Sequence, residues 1–277
     1  MKSLLQRTLD NYQPKSMKPL GGGKTGNVVL ITYSNGFRAV ARIGRPTTSN
    51  GKDTQIGLSV EDQPRREAAF YQLAKLLHLD YLVPETILGR TRHGRPISYQ
   101  AFVEAMRPHD LEPKLDEDIE KEEWRDYARK ALRNADSIHW IRSLVLDFVS
   151  CQRDRHLNNV GLRAHVESGE LRAIPVLWDN GVAFGPALER YRNVPHKMLY
   201  PMTVDVSSVL APLDKLKLSD FKEALHAVTW LEEREQAFKR LRFACEYPYR
   251  LPWVRLFEFG RGLGASRYRD FFSRAID

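Results

Sequence analysis

Three polar residues in the middle of the chain have the types and the spacing that phosphoryl transfer demands. Asp154 stands in RDRHLNN, and Asn159 closes that run five positions later. Asp179 lies 25 positions beyond Asp154, in LWDNG, directly after an apolar segment. Moving a phosphoryl group to a hydroxyl needs a carboxylate near the attacking oxygen, with an amide oxygen and a second carboxylate to hold Mg²⁺ against the phosphates. Asp154 fits the first role, and Asn159 and Asp179 fit the metal-ligand roles. Five positions give a loop enough length to bring base and metal ligand to one side.

A phosphate cradle is the second requirement, and residues 20–27 read LGGGKTGN. A Walker-type loop ending at Gly23-Lys24-Thr25 requires glycine at position 18, where this chain has Lys18. The other arrangement places glycines at the bend of a β-hairpin that closes over ATP. There Gly21, Gly22, Gly23 and Gly26 let backbone amides approach the phosphates, and Lys24 is a candidate helper from above.

Several elements must position these groups. Residues 28–33 (VVLITY) and 37–43 (FRAVARI) flank Ser34-Asn35-Gly36, and Asn-Gly between such runs signals a hairpin. Residues 45–63 are polar and breaker-rich, a loop. Pro64 then opens a helical stripe carrying Ala68, Tyr71, Leu73, Leu76 and Leu77. Segments 81–87 and 97–103 are predicted strands around a His93-Gly94-Arg95-Pro96 turn. An acidic run over 116–123 reads as a solvated helix start and leads into a long helical region to residue 152. A second hairpin is predicted from 159–163 and 174–178, and helices over 218–228 and 230–247. The expected organisation is a small β-rich nucleotide-binding lobe over 1–105 and a mainly helical catalytic lobe over 106–277.

The motifs together resemble the kinase superfamily of phosphatidylinositol 3- and 4-kinases, actin-fragmin kinase and the secretory-pathway kinases. Its hallmark is D-R-H-x-x-N followed by D-[FN]-G, here DRHLNN and DNG. The DNG form is most similar to type II phosphatidylinositol 4-kinases and the secretory kinases. REAAFYQLAKLLHLDYLVPET is similar to the helix and following strand of those families, and RLRFACEYPYRLPWVRL more loosely to the C-terminal helical region of the secretory type. The resemblance covers roughly residues 20–260. It implies a two-lobed, α+β protein-kinase-like fold with ATP and Mg²⁺ between the lobes. Asp154 becomes the catalytic or orienting carboxylate, Asn159 and Asp179 the metal ligands, and Glu67 the helix glutamate that pairs with the ATP-binding lysine. Two roles stay open for His156, proton transfer and support of the loop, and its near-neutral intrinsic pKa permits either. Phe102, Val103 and Glu104 become a hinge whose backbone meets adenine.

One position departs from the pattern. Where the family carries a lysine on the second hairpin strand, this chain has Arg42, in VARI. A planar guanidinium can bind phosphate and take Glu67 bidentately, but it does not replace a compact ammonium without moving something. Arg42 working in place ranks first. Lys24 reaching down to the phosphates is the second possibility, and nucleotide binding without turnover the third. That third possibility makes the chain a pseudokinase regulating a partner. A HipA-like toxin kinase shares the D-R-H-x-x-N type of loop but carries a different metal motif.

Singly, each motif has a plain structural explanation: a salt-bridged loop, a turn, a flexible bend. Their joint order and context carry the reading. The formal charge of +8 favours anionic partners, here ATP, an anionic acceptor or a peripheral contact with an anionic membrane. No basic-aromatic motif points to nucleic acid. The acceptor hydroxyl stays open among phosphoinositide, protein and sugar. Cys151 and Cys245 match no metal spacing. With neither a secretory leader pattern at the N-terminus nor a long apolar run, the expected location is cytoplasmic.

Overall fold

The computed structural model describes residues 2–20, 27–43, 62–105, 137–152, 154–155, 159–167, 170–184, 192–193, 205–248 and 251. Ser3 accepts the Gln6 backbone N–H at 3.1 Å and so caps the first helix, α1 (Leu4–Asn11). Strand β1 (Pro14–Pro19) follows, and all its side chains are exposed, so no apolar alternation marks it in the sequence. It pairs antiparallel with β2 (Asn27–Tyr33), which pairs antiparallel with β3 (Arg38–Ile43). At the β2–β3 turn Gly36 alone takes the left-handed conformation, at φ +83°, while the Asn35 side chain accepts the Phe37 N–H at 3.0 Å. The Asn-Gly signal thus divides into a glycine that bends the chain and an asparagine that ties the bend.

Strands β4 (Thr86–Arg90) and β5 (Pro96–Ala101) complete a five-stranded sheet in the order β1-β2-β3-β5-β4. The strand expected over 81–87 begins only at Thr86, because Asp80–Leu82 forms a 3-10 turn and Pro84 just after it has no N–H to give a ladder. Alternation along β3 divides the two faces of the sheet. Ala39 and Ala41 join Ile31, Tyr33, Ile97 and Leu5 of α1 in a small core. Arg42 lies opposite Val28 and Ser98 in the ladder and reaches toward the helix packed on the other face.

That helix, α2 (Gln63–Leu76), carries Pro64 in its first turn, where a missing N–H costs nothing. Its buried Ala68, Ala69, Phe70, Leu73 and Ala74 do not join the small core. They belong to a larger one with α3 (Ser137–Ser150), α4 (Ser207–Leu210), α5 (Leu218–Leu225) and α6 (Leu231–Glu246). Phe70, Leu73, Trp140, Leu144, Phe148 and Phe221 are fully buried there. Each such side chain is worth about 1.5–3 kcal/mol of transfer free energy, and Phe70 and Leu73 tie α2 into the helical layer. Two short strands, β6 (Asp154–Arg155) and β9 (Arg192–Asn193), pair in parallel. Between them in sequence, β7 (Val160–Glu167) and β8 (Glu170–Leu177) form the second predicted hairpin, in register from Val160↔Leu177 to Glu167↔Glu170. No helix among the described residues is long and apolar enough to cross a membrane.

Candidate active site

Gln63 and Glu67 stand one turn apart on α2 and therefore share the face turned toward β3. Arg42 meets both. Its Nε lies 3.5 Å from Glu67 Oε1, its Nη1 donates to Gln63 Oε1 at 3.5 Å, and its Nη2 lies 2.7 Å from Asp179 Oδ1. The Arg42–Glu67 contact is through Nε alone. Asp179 takes the shorter contact, and the planar fork spreads over three partners, two on α2 and one on the DNG turn.

The electrostatics follow from burial. Side-chain exposure is 13% for Arg42 and 5% for Glu67, against 43% for Asp179. Burial alone would lower the Arg42 guanidinium, but the charges of Asp179 and Glu67 outweigh it and hold the group above its ordinary value. Burial pushes the Glu67 carboxyl up, and the charge of Asp179 adds to that, while Arg42 and the Asn180 backbone N–H act in the opposite direction. Asp179 is the carboxylate still open to solvent.

The backbone of the Asp179-Asn180-Gly181 turn differs from what its residue types suggest. Asp179 itself takes the left-handed conformation, at φ +54°, which costs a non-glycine residue about 1–2 kcal/mol. Gly181 has no such φ. A Cβ there would meet Gln63 Cβ at 3.1 Å and Cγ at 3.3 Å, so a side chain at this position would press α2 back by a few tenths of an ångström. Gln63 therefore touches the site twice, once at Arg42 and once at Gly181.

Arg155 organises the floor, and sequence reasoning did not single it out. Its side chain is fully buried. Nε and Nη2 grip the two carboxylate oxygens of buried Asp147 on α3 at 3.1 and 2.9 Å. Nη1 donates to the carbonyls of Asn159 at 2.9 Å and Trp178 at 2.8 Å, and Nη2 donates to Asn180 Oδ1 at 2.6 Å. All five guanidinium donors are thereby used. The Phe70 ring of α2 lies beneath the guanidinium, with its centroid 5.5 Å away. One side chain thus joins the DRHLNN segment, the DNG turn, α3 and α2. The available signal was the arginine inside the motif together with an aspartate near the end of the preceding helix.

Asn159 and Asp179 lie at the open end of the β7–β8 hairpin, just outside its strands. The Trp178 N–H donates to the Asn159 carbonyl at 3.2 Å, so the two candidate ligands sit on adjoining backbone. An amide and a carboxylate are hard oxygen donors of the kind that suits Mg²⁺, which takes one or two carboxylates and completes its shell with phosphate and water. The described residues contain no group of three or more His, Cys, Asp or Glu able to hold an ion. Asp154 is described through its backbone, in β6 opposite Arg192. Gly21, Gly22, Gly23, Lys24, Gly26 and His156 lie outside the described residues. Their flanks are informative all the same, since Gly21 to Gly26 connect antiparallel β1 and β2, and Leu20 still donates to the Val28 carbonyl at 3.0 Å.

Phe102, Val103 and Glu104 leave β5 toward the helical lobe. The Phe102 N–H donates to the Arg38 carbonyl at 3.0 Å, which extends the β3–β5 pairing by one bond. Arg38 stacks over the Phe102 ring, 4.2 Å from its centroid, and pairs with the exposed Glu104 carboxylate. The connection is pinned to β3 from one side.

No family model matches the sequence, and no curated protein does. Solved structures do match by fold. Golgi casein kinase with Mn and ADP bound superposes with a TM-score of 0.53 at 13% identity, over 95% of this chain and 78% of that one. A second Golgi casein kinase structure gives 0.53 at 14% identity, over 95% and 76%. The Helicobacter pylori proinflammatory kinase CtkA gives 0.45 at 17% identity, over 86% and 96%. The chain has a two-lobed α+β protein-kinase-like fold, with the Arg42, Glu67 and Asp179 cluster between sheet and helical layer.

Proposed function

We propose that the chain is an ATP- and Mg²⁺-dependent phosphotransferase that moves the γ-phosphoryl group to a hydroxyl. The observation that carries this reading is the convergence of Arg42 from the sheet, Glu67 from α2 and Asp179 from the DNG turn, with Asn159 on adjoining backbone. Asp179 and Asn159 would hold the metal, which would neutralise charge developing on the phosphates. Arg42, fixed by Glu67 and Gln63, presents a permanent positive charge where phosphate oxygens are to be held. Asp154, at the start of the segment anchored by Arg155, orients the acceptor hydroxyl. Rate enhancement then comes from positioning and charge stabilisation rather than covalent chemistry. The acceptor belongs to the hydroxyl class spanning protein, sugar and phosphoinositide.

A second reading has its own observation. The cation on β3 is an arginine, and its shortest contact is to the carboxylate proposed for the metal. A pseudokinase that binds nucleotide without turnover accommodates that pairing. Incubation with Mg²⁺ and γ-labelled ATP over a protein, a sugar and a phosphoinositide panel, beside Asp154→Ala and Asp179→Ala, separates the readings. Transfer or hydrolysis lost in both variants supports the phosphotransferase. ADP binding with no label or hydrolysis above the variants leaves the pseudokinase.

A further inference from the structure

Directly before Glu67 on α2 come Arg65 and Arg66, and both turn away from the sheet toward the N-terminus of α6. Glu233, in the first turn of α6, receives them. Its Oε1 lies 3.0 Å from Arg66 Nη2 and accepts from Arg65 Nη2 at 3.5 Å. Its Oε2 accepts from Arg65 Nη1 at 3.0 Å and from the Trp230 backbone N–H of its own helix start at 2.7 Å. Side-chain exposures are 10% for Glu233, 14% for Arg65 and 7% for Arg66, so the cluster sits largely out of water. Arg65 also donates to the Val228 carbonyl at 2.8 Å and stacks on Trp230, 4.8 Å from the ring.

The other arm of Arg66 gives the cluster its consequence. Its Nη1 donates to the Ala183 carbonyl at 2.7 Å, two residues past Gly181 in the turn that carries Asp179. Glu233 therefore braces two parts of the active site from behind: α2, which carries Gln63 and Glu67, and the backbone that follows the DNG turn. It also caps α6, which fixes Glu233 itself. Because the apolar face of α2 already lies in the large core, this ionic contact sets the seating of the helix rather than its attachment.

We propose that Glu233 is a positioning residue of the nucleotide site. It acts through Arg66, holding α2 and the Asp179 turn in the geometry that brings Arg42, Glu67 and Asp179 together. The inference rests on the nucleotide-binding reading above, and its test separates the two.

Glu233→Gln keeps an acceptor for the Trp230 N–H, since glutamine also serves at that helix position, but removes the charge. Arg66→Lys keeps a charge but cannot reach Glu233 and the Ala183 carbonyl together. Hydrogen exchange is measured first without nucleotide. In both variants the α2 amides should exchange about tenfold faster or more, while α6 and β2–β3 keep their protection. Mg-ADP affinity, read by calorimetry, should fall about tenfold in either variant, and Glu233→Gln should add nothing to Glu67→Gln, because both act on one assembly. Unchanged α2 exchange in both folded variants overturns the proposal, as does an affinity loss that simply multiplies with that of Glu67→Gln. If wild type binds no nucleotide, the phosphotransferase reading fails, and the exchange experiment still decides whether Glu233 seats α2.

Discussion

Replacing Arg155 by methionine keeps most of the stem volume and removes every donor at the centre of the site. The fully buried Asp147 carboxylate then loses both guanidinium hydrogen bonds from Arg155, and the Asn159 and Trp178 carbonyls and Asn180 Oδ1 each lose an N–H. Removing one partner of a buried ion pair costs about 3–5 kcal/mol, a large part of the roughly 5–15 kcal/mol that holds a domain folded. At about 2–4 °C per kcal/mol for a chain of this size, the melting temperature should fall by roughly 6–20 °C. Differential scanning calorimetry reads the shift, and urea unfolding gives the free energy independently.

The double variant Arg155→Met/Asp147→Leu tests the cause, because it removes both charges and leaves the carbonyl and amide acceptors each short of the N–H that Arg155 gave them. It should be more stable than Arg155→Met alone and still less stable than wild type. A melting temperature for Arg155→Met within about 2 °C of wild type would refute the reasoning, since the ledger for a buried carboxylate does not allow so small a change. A double variant as unstable as the sum of the two single variants would refute the ion-pair explanation separately.

Arg42→Lys should weaken Mg-nucleotide binding by about tenfold with little loss of stability, because one ammonium cannot span Gln63, Glu67 and Asp179 as the guanidinium does. Calorimetric titration checks it, and affinity equal to wild type would show that the pocket is not built around the fork. Cys245 should resist alkylation. Burial and the nearby Asp214 push its thiol up to about 11, so at pH 8 the reactive thiolate is about a thousandth of the population, against roughly a quarter for a free thiol. Maleimide labelling should rise with pH up to about 11, and fast labelling at pH 7 would contradict that environment.

The sequence by itself determined the proposed chemistry and most of the described elements. DRHLNN, DNG and the glycine run state which atoms are on offer, and Ser34-Asn35-Gly36, Pro64 and the apolar stripe behind it fix a hairpin and a helix through short-range rules of turn and period. The second hairpin around Glu167 to Gly169 was legible for the same reason. Strand β1 was not, because an exposed edge strand with two prolines and two lysines carries no alternation and exists only through its pairing with β2. The strand expected over 81–87 failed where a 3-10 turn and Pro84 outweighed β-branched composition.

Within the site, residue chemistry named Asp179 and the family resemblance named Arg42 and Glu67, but only the tertiary structure decided how they share one guanidinium. That sharing depends on distances between three elements far apart in sequence. The role of Gly181 followed the same course: its type suggested positive φ, and its packing against Gln63 showed a need for space. Arg155, Arg66 and Glu233 are ordinary charged residues in a sequence with 43 Lys and Arg and 35 Asp and Glu, so nothing in their types separates them from the solvated majority. Burial does. A charge taken out of water must be met by partners at hydrogen-bond distance, and only the folded chain determines which charges are buried and which groups meet them.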